Sequence, residues 1–106
     1  MANFISLDSR EKLEDLFQQS YTRPIVLFKH SRSCGISAGV YRIVEGVDAD
    51  VNLVVIQTDR DISNAIAEKT GIRHESPQAI VLKSGEAAYS ASHYDIEPAE
   101  IMALLN

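Results

Sequence analysis

One cysteine, Cys34, is all the thiol the 106-residue sequence holds. A single thiol cannot close an intramolecular disulfide, and it cannot build a cysteine-based zinc site. Thiol chemistry at Cys34 therefore needs a sulfur on another molecule. Long apolar runs are also missing, and none approaches the ~18 residues of a membrane span. No Lys/Arg run occurs, and 15 acidic residues face 10 basic ones, for a formal net charge of -5. Phosphate contact needs a concentrated basic face, so no nucleic-acid partner is expected. Met1 to Asp8 do not read as a secretory signal. The expected location is the cytoplasm, with no membrane partner. Internal repeats, low-complexity tracts and Pro/Gly/Ser-rich linkers are absent.

What remains is ordinary globular material, with 45% hydrophobic and 24% charged residues. The length suits a single domain over residues 1–106. Asp8 and Glu11 stand at the spacing of a helix N-cap and its reciprocal partner. Leu13, Leu16 and Phe17 then recur at helical spacing, predicting a helix over residues 9–19. Ile25-Val26-Leu27-Phe28 is a continuous apolar run, as in a strand covered on both faces. A polar loop, His30 to Gly35, follows. Ile36, Val40, Ile43 and Val44 predict a second helix over about residues 34–46.

Leu53-Val54-Val55-Ile56 marks a second strand. A third helix starts near Asp59 to Asp61 and runs to Thr70, with Gly71 as its C-terminal glycine. Ala79 to Leu82 is a third strand, and Ala87 to Ala91 a fourth, joined through the tight turn Lys83-Ser84-Gly85-Glu86. Pro98 opens a last helix carrying Ile101, Leu104 and Leu105. The order α-β-α-β-α-β-β-α begins with a β-α-β unit, which requires a parallel pair, and ends in an antiparallel hairpin. A mixed four-stranded sheet with helices on both faces is an α/β layout of the thioredoxin-like fold.

In this layout Cys34 falls after a buried strand and at the start of a helix. Unpaired N–H groups and the helix dipole favour a thiolate there. Ser31, Ser33 and Ser37 are candidate donors to the sulfur, and Arg32 adds positive charge nearby. Ser37 stands three residues after Cys34, where a dithiol oxidoreductase carries its second cysteine. A serine there hydrogen-bonds a thiolate but cannot attack a mixed disulfide. Pro77, after Ser76 and before the third strand, occupies the place of the cis-proline of such folds. His30, His74 and His93 lack ligand spacing, and no metal site is expected. His30, at the end of the strand leading into the cysteine loop, would lower the cysteine pKa if cationic.

Phe28-Lys29-His30-Ser31, Ser33-Cys34-Gly35-Ile36-Ser37, and Ile66 through His74-Glu75-Ser76-Pro77-Gln78-Ala79-Ile80 together resemble the YtxJ-like monothiol bacilliredoxins of the bacillithiol system. Ala91-Ser92-His93 matches as well, so the resemblance runs along nearly the whole chain. The family pattern is typically Thr-Cys-Pro-Ile-Ser, whereas this chain has Ser33 and Gly35. The resemblance implies a thiol-disulfide oxidoreductase with no bound cofactor, taking a low-molecular-weight thiol, bacillithiol, as co-substrate. It implies S-thiolated client proteins and a small thiol or partner redoxin as partners, with the chain a monomer or weak dimer.

Cys34 would be the nucleophile, stabilised by Ser37 and by the Gly35 and Ile36 N–H groups. Ser76 and Pro77 would form the wall beside it. Arg32 or Lys29 would meet the small thiol's carboxylates. Cys-Gly-Ile-Ser is also similar to the Cys-Gly-Phe-Ser of monothiol glutaredoxins, which carry a [2Fe-2S] cluster. Their Gly-Gly thiol-binding segment is replaced here by Ala91-Ser92-His93-Tyr94-Asp95. A non-catalytic thioredoxin-like binding module is a further alternative.

Overall fold

Alternate burial along one strand organises the molecule. A computed structural model of the chain describes residues 1–33 and 35–106. In the strand β2 (Ile25–His30), Ile25 and Leu27 join one apolar cluster, and Val26 and Phe28 join another. This is the period of two that a strand imposes on its side chains. The first cluster is closed by Leu13 and Phe17 of α1 (Arg10–Gln19) and by Ile62, Ala65 and Ile66 of α3 (Arg60–Thr70). The second is closed by Val40 and Val44 of α2 (Gly35–Val44) and by Ile101 of α4 (Pro98–Leu105). Helices therefore cover both faces, as the continuous apolar run predicts.

The sheet has five strands rather than four, in the order β1-β3-β2-β4-β5. β3 is Asp50–Val55, β4 is Gln78–Lys83 and β5 is Glu86–Ser92. The additional strand, β1 (Asn3–Ser6), runs parallel to β3 along the sheet edge. Four residues, with Ile5 and Ser6 exposed, are too few to show a period in the sequence. β2 and β3 are parallel, and β4 runs antiparallel to both β2 and β5.

The start of α1 also differs from expectation. Ser9, not Asp8, caps the helix, accepting from the Lys12 N–H at 3.2 Å, while Asp8 takes the Lys12 Nζ at 2.8 Å. An acceptor one residue later satisfies the N–H one residue later, that of Lys12 in place of Glu11. Gly71 closes α3 at φ 73°, and Ser84 and Gly85 turn the β4–β5 hairpin at φ 53° and 78°. Two successive positive φ values suit the twist of a two-residue hairpin.

Candidate active site

The parallel pair β2–β3 brings two loops to one end of the sheet. The segment after β2 holds Ser31, Arg32 and Ser33, and the segment after β3 holds Gln57. One side chain joins them. Gln57 Nε2 donates to Ser31 Oγ at 2.8 Å and to Ser33 Oγ at 3.1 Å. Its Oε1 accepts the Arg32 N–H at 3.1 Å. Ser31 is buried, and its N–H donates to Ser37 Oγ at 3.4 Å. Ser37 is itself fully buried in the first turn of α2. The residues flanking Cys34 are thus tied to β3 on one side and enter α2 on the other.

Cys34 lies outside the described residues, and so do the expected hydrogen bonds to its sulfur. Gly35, next in the chain, is the first residue of α2. The opening N–H groups of a helix lack intrahelical acceptors and carry the positive end of its dipole. Gly35 and Ile36 are exposed, and a Cβ built on Gly35 meets nothing within 4 Å. No close approach requires glycine at that position. Arg32 is also exposed.

Gln57 escaped the sequence reading because a lone glutamine after a strand has no pattern to distinguish it. A Gln57→Leu variant is expected to keep the global denaturation midpoint, since the residue is exposed. Amide exchange at Ser31 to Ser33 is expected to speed up by about tenfold, the loss of ~1.4 kcal/mol of local hydrogen bonding. Hydrogen-exchange mass spectrometry reads both quantities on one sample. Unchanged protection would show that the three bonds do not hold the segment.

The second wall comes from the antiparallel neighbour. Lys29 pairs with Gln78 in register, so Pro77 falls one step beyond the last pair, beside the end of β2. The Ser76–Pro77 peptide bond is cis. Pro77 is buried, and its carbonyl accepts the His93 N–H at 2.9 Å. Ser76 is half-buried, and its Oγ is enclosed without a hydrogen-bond partner among the described residues. Gln78 Nε2 holds the same loop by donating to the Arg73 carbonyl at 3.0 Å.

The condition placed on His30, a cationic ring, is not met, and one expectation, for Lys29, is corrected. Burial first, and the Arg32 guanidinium second, push the His30 pKa below the usual imidazole value, so the ring is neutral at pH 7. It lies near Tyr41, with ring centroids 5.1 Å apart. Lys29 does not reach outward for a ligand carboxylate. It is 1% exposed, and its ammonium donates to the Ser63 carbonyl at 3.1 Å and contacts His74 Nδ1 at 3.2 Å.

His74 Nδ1 also lies 2.8 Å from Ser63 Oγ. Burial, then Lys29 and Arg60, keep this imidazole neutral as well, with Glu75 opposing them. Because the fold favours both histidines neutral, their contribution to stability is complete above ~6.5 and erodes as pH falls below that value. Among the described residues no three His, Cys, Asp or Glu side chains converge as a metal site would need. A cavity of about 520 Å³ lies at the other end of the sheet, beside Ile25, Asp50 and Met102. No helix among the described residues is long and apolar enough to cross a membrane.

Known proteins share the fold. A solved structure described as a thioredoxin-fold oxidoreductase is 31% identical, with a TM-score of 0.86, over 97% of this chain and 94% of that one. Thioredoxin from Trypanosoma brucei brucei is 15% identical, with a TM-score of 0.74, over 97% and 88% of the two chains. Thioredoxin from Schistosoma mansoni is 19% identical, with a TM-score of 0.70, over 97% and 93%. These two thioredoxins support the fold alone. The family model for the monothiol bacilliredoxin BrxC matches residues 5–101. The chain belongs to the monothiol bacilliredoxins, a family of thioredoxin-like thiol oxidoreductases.

Proposed function

We propose that this chain removes a low-molecular-weight thiol, bacillithiol, from S-thiolated client proteins through Cys34. The observation that carries the reading is the lone cysteine, placed one residue before α2 in a chain that belongs to this family. The Cys34 thiolate attacks the small-thiol sulfur of the client's mixed disulfide. A Cys34–small-thiol disulfide forms, the client–small-thiol bond breaks, and the client leaves as a thiolate that takes a proton from water. A second small thiol, or a partner redoxin, then attacks the adduct and returns Cys34 as thiolate, carrying away the two electrons' worth of oxidation as its own disulfide. Attack requires the thiolate form, and departure is faster for a leaving thiol of lower pKa.

In this reading the Gly35 and Ile36 N–H groups and Ser37 stabilise the sulfur. Ser76 and Pro77 present an extended edge beside which client backbone lies, in the manner of strand addition. Arg32, exposed beside the site, meets a carboxylate of the small thiol. No bound cofactor is needed. The protein works in the cytoplasm as a monomer or weak dimer.

The test is transfer of mass. Reduced protein mixed with an S-bacillithiolated client is expected to gain one small-thiol mass, while a Cys34→Ser variant gains none. If no adduct forms, or if the client stays disulfide-linked to Cys34, the direction of attack is wrong. Iron–sulfur loading, seen as visible absorbance after reconstitution, would then favour the cluster-carrying role.

A further inference from the structure

Position 29 points into an apolar layer. By strand alternation it shares a face with Ile25 and Leu27, and that layer also contains Ile62, Ile66 and Ile80. A leucine or methionine would suit such surroundings. The chain places a lysine there instead, 1% exposed. Among the described residues no carboxylate lies within ion-pair reach of its ammonium. A buried cation without a counter-ion is costly, and hydrogen bonds offset only part of that cost. The charged group whose field acts on it is another cation, Arg60 of α3. Lysine is therefore a poor choice for stability at this position.

Its contacts indicate another use. The ammonium reaches the Ser63 carbonyl of α3 at 3.1 Å and His74 Nδ1 at 3.2 Å. Ser63 Oγ lies 2.8 Å from the same nitrogen. A neutral His74 accepts at Nδ1, so its proton is on Nε2. Three elements, β2, α3 and the 71–77 segment, meet at this point. His74 stands two residues before Ser76, and the Lys29 backbone pairs with Gln78, the residue after Pro77. Lys29 thus grips the wall segment on both sides of the Ser76–Pro77 step: through its side chain before the step and through the β-ladder after it.

We propose that Lys29 is a positioning residue for the exchange reaction, its ammonium anchoring His74 so that the Ser76–Pro77 backbone is held ready for an extended client segment. The proposal rests on the reading of this chain as an oxidoreductase of S-thiolated proteins. A buried anchor fixes the wall in its binding geometry before the client arrives, which lowers the ordering cost of binding. Lys29 touches no reacting atom. Its effect falls on client affinity and spares the intrinsic reactivity of the thiol.

Lys29→Met and His74→Leu variants test this, each removing one side of the contact. Both are expected to raise KM for an S-bacillithiolated client by about tenfold, with kcat within about twofold; tenfold corresponds to the loss of ~1.4 kcal/mol. Alkylation of Cys34 by iodoacetamide, which needs no wall, is expected to stay within about twofold of wild type. Amide exchange across residues 72–76 is expected to quicken by about tenfold in both. A purely structural lysine would instead lower the denaturation midpoint and leave KM unchanged, overturning the proposal. Equal slowing of alkylation and client turnover would also overturn it. If the wild-type protein does not turn over the client, the functional reading fails. The exchange comparison at 72–76 still decides the anchoring: unchanged protection in both variants refutes it.

Discussion

A Ser37→Cys variant is expected to lose its small-thiol adduct about a hundredfold faster than the wild-type chain, in the absence of added thiol. Ser37 follows Cys34 by three residues, and residues at this spacing share one face of a helix. Its side chain is fully buried in the first turn of α2 and turned toward the Ser31 N–H. A thiol at that position would attack the Cys34 sulfur of the adduct from within the chain, expelling the small thiol and leaving an internal disulfide. Attack from a neighbouring side chain proceeds at an effective concentration well above the millimolar range of free thiols.

In the wild type no second thiol exists, so the adduct waits for an external partner. Mass spectrometry over time reads both lifetimes directly. The exchanged residue gives up a hydrogen bond of 3.4 Å, a loss on the order of 1 kcal/mol, which the fold withstands. Equal lifetimes in the two proteins would show that the residue-37 side chain does not reach the Cys34 sulfur.

The residues around this exchange were legible to different degrees. Cys34, Ser37 and Pro77 stand out because each interrupts a pattern. A thiol interrupts the polar loop, a serine follows it three residues on among the apolar residues of α2, and a proline stands just before an apolar run. The two buried layers follow from Ile25 to Phe28, whose unbroken apolar run requires cover on both faces. β1 was not legible, because Phe4 alone of its four residues packs against a core cluster. Gln57 and the Lys29–His74 contact were hidden for a different reason. Their partners lie 25 and 45 residues away in the chain, and no local period announces a hydrogen bond across that distance. Lysine at the end of a strand reads as a solvent-facing charge. Only the sheet, by placing Gln78 opposite and α3 above, turns it inward.

That inward lysine should also be visible in the pH dependence of stability. Burial first, and Arg60 second, lower the Lys29 pKa from 10.5 to about 8. Below pH 8 the residue is charged in the folded and unfolded chains alike, and the fold carries the full cost of the buried cation. Between about 8 and 10.5 the unfolded chain binds more protons than the folded one, so stability rises with pH across that window. The full shift would amount to ~3.4 kcal/mol at ~1.36 kcal/mol per unit. Solvent screening reduces this, and a gain of about 2 kcal/mol is expected.

The groups facing the ammonium are His74, Arg60 and the Ser63 carbonyl. His74 is already neutral there, so the titration expected in the window is that of Lys29. Tyr89, whose pKa burial raises, acts in the opposite direction above about pH 10, where the unfolded phenol ionises first. The difference between wild type and Lys29→Met cancels that contribution. Urea denaturation of both proteins from pH 7 to 10 should therefore show the methionine variant more stable at pH 7 and the gap closing by about 2 kcal/mol as the pH rises. A gap that stays constant across the range would mean that Lys29 is solvated as an ordinary surface lysine, and its anchoring of His74 would have no electrostatic basis.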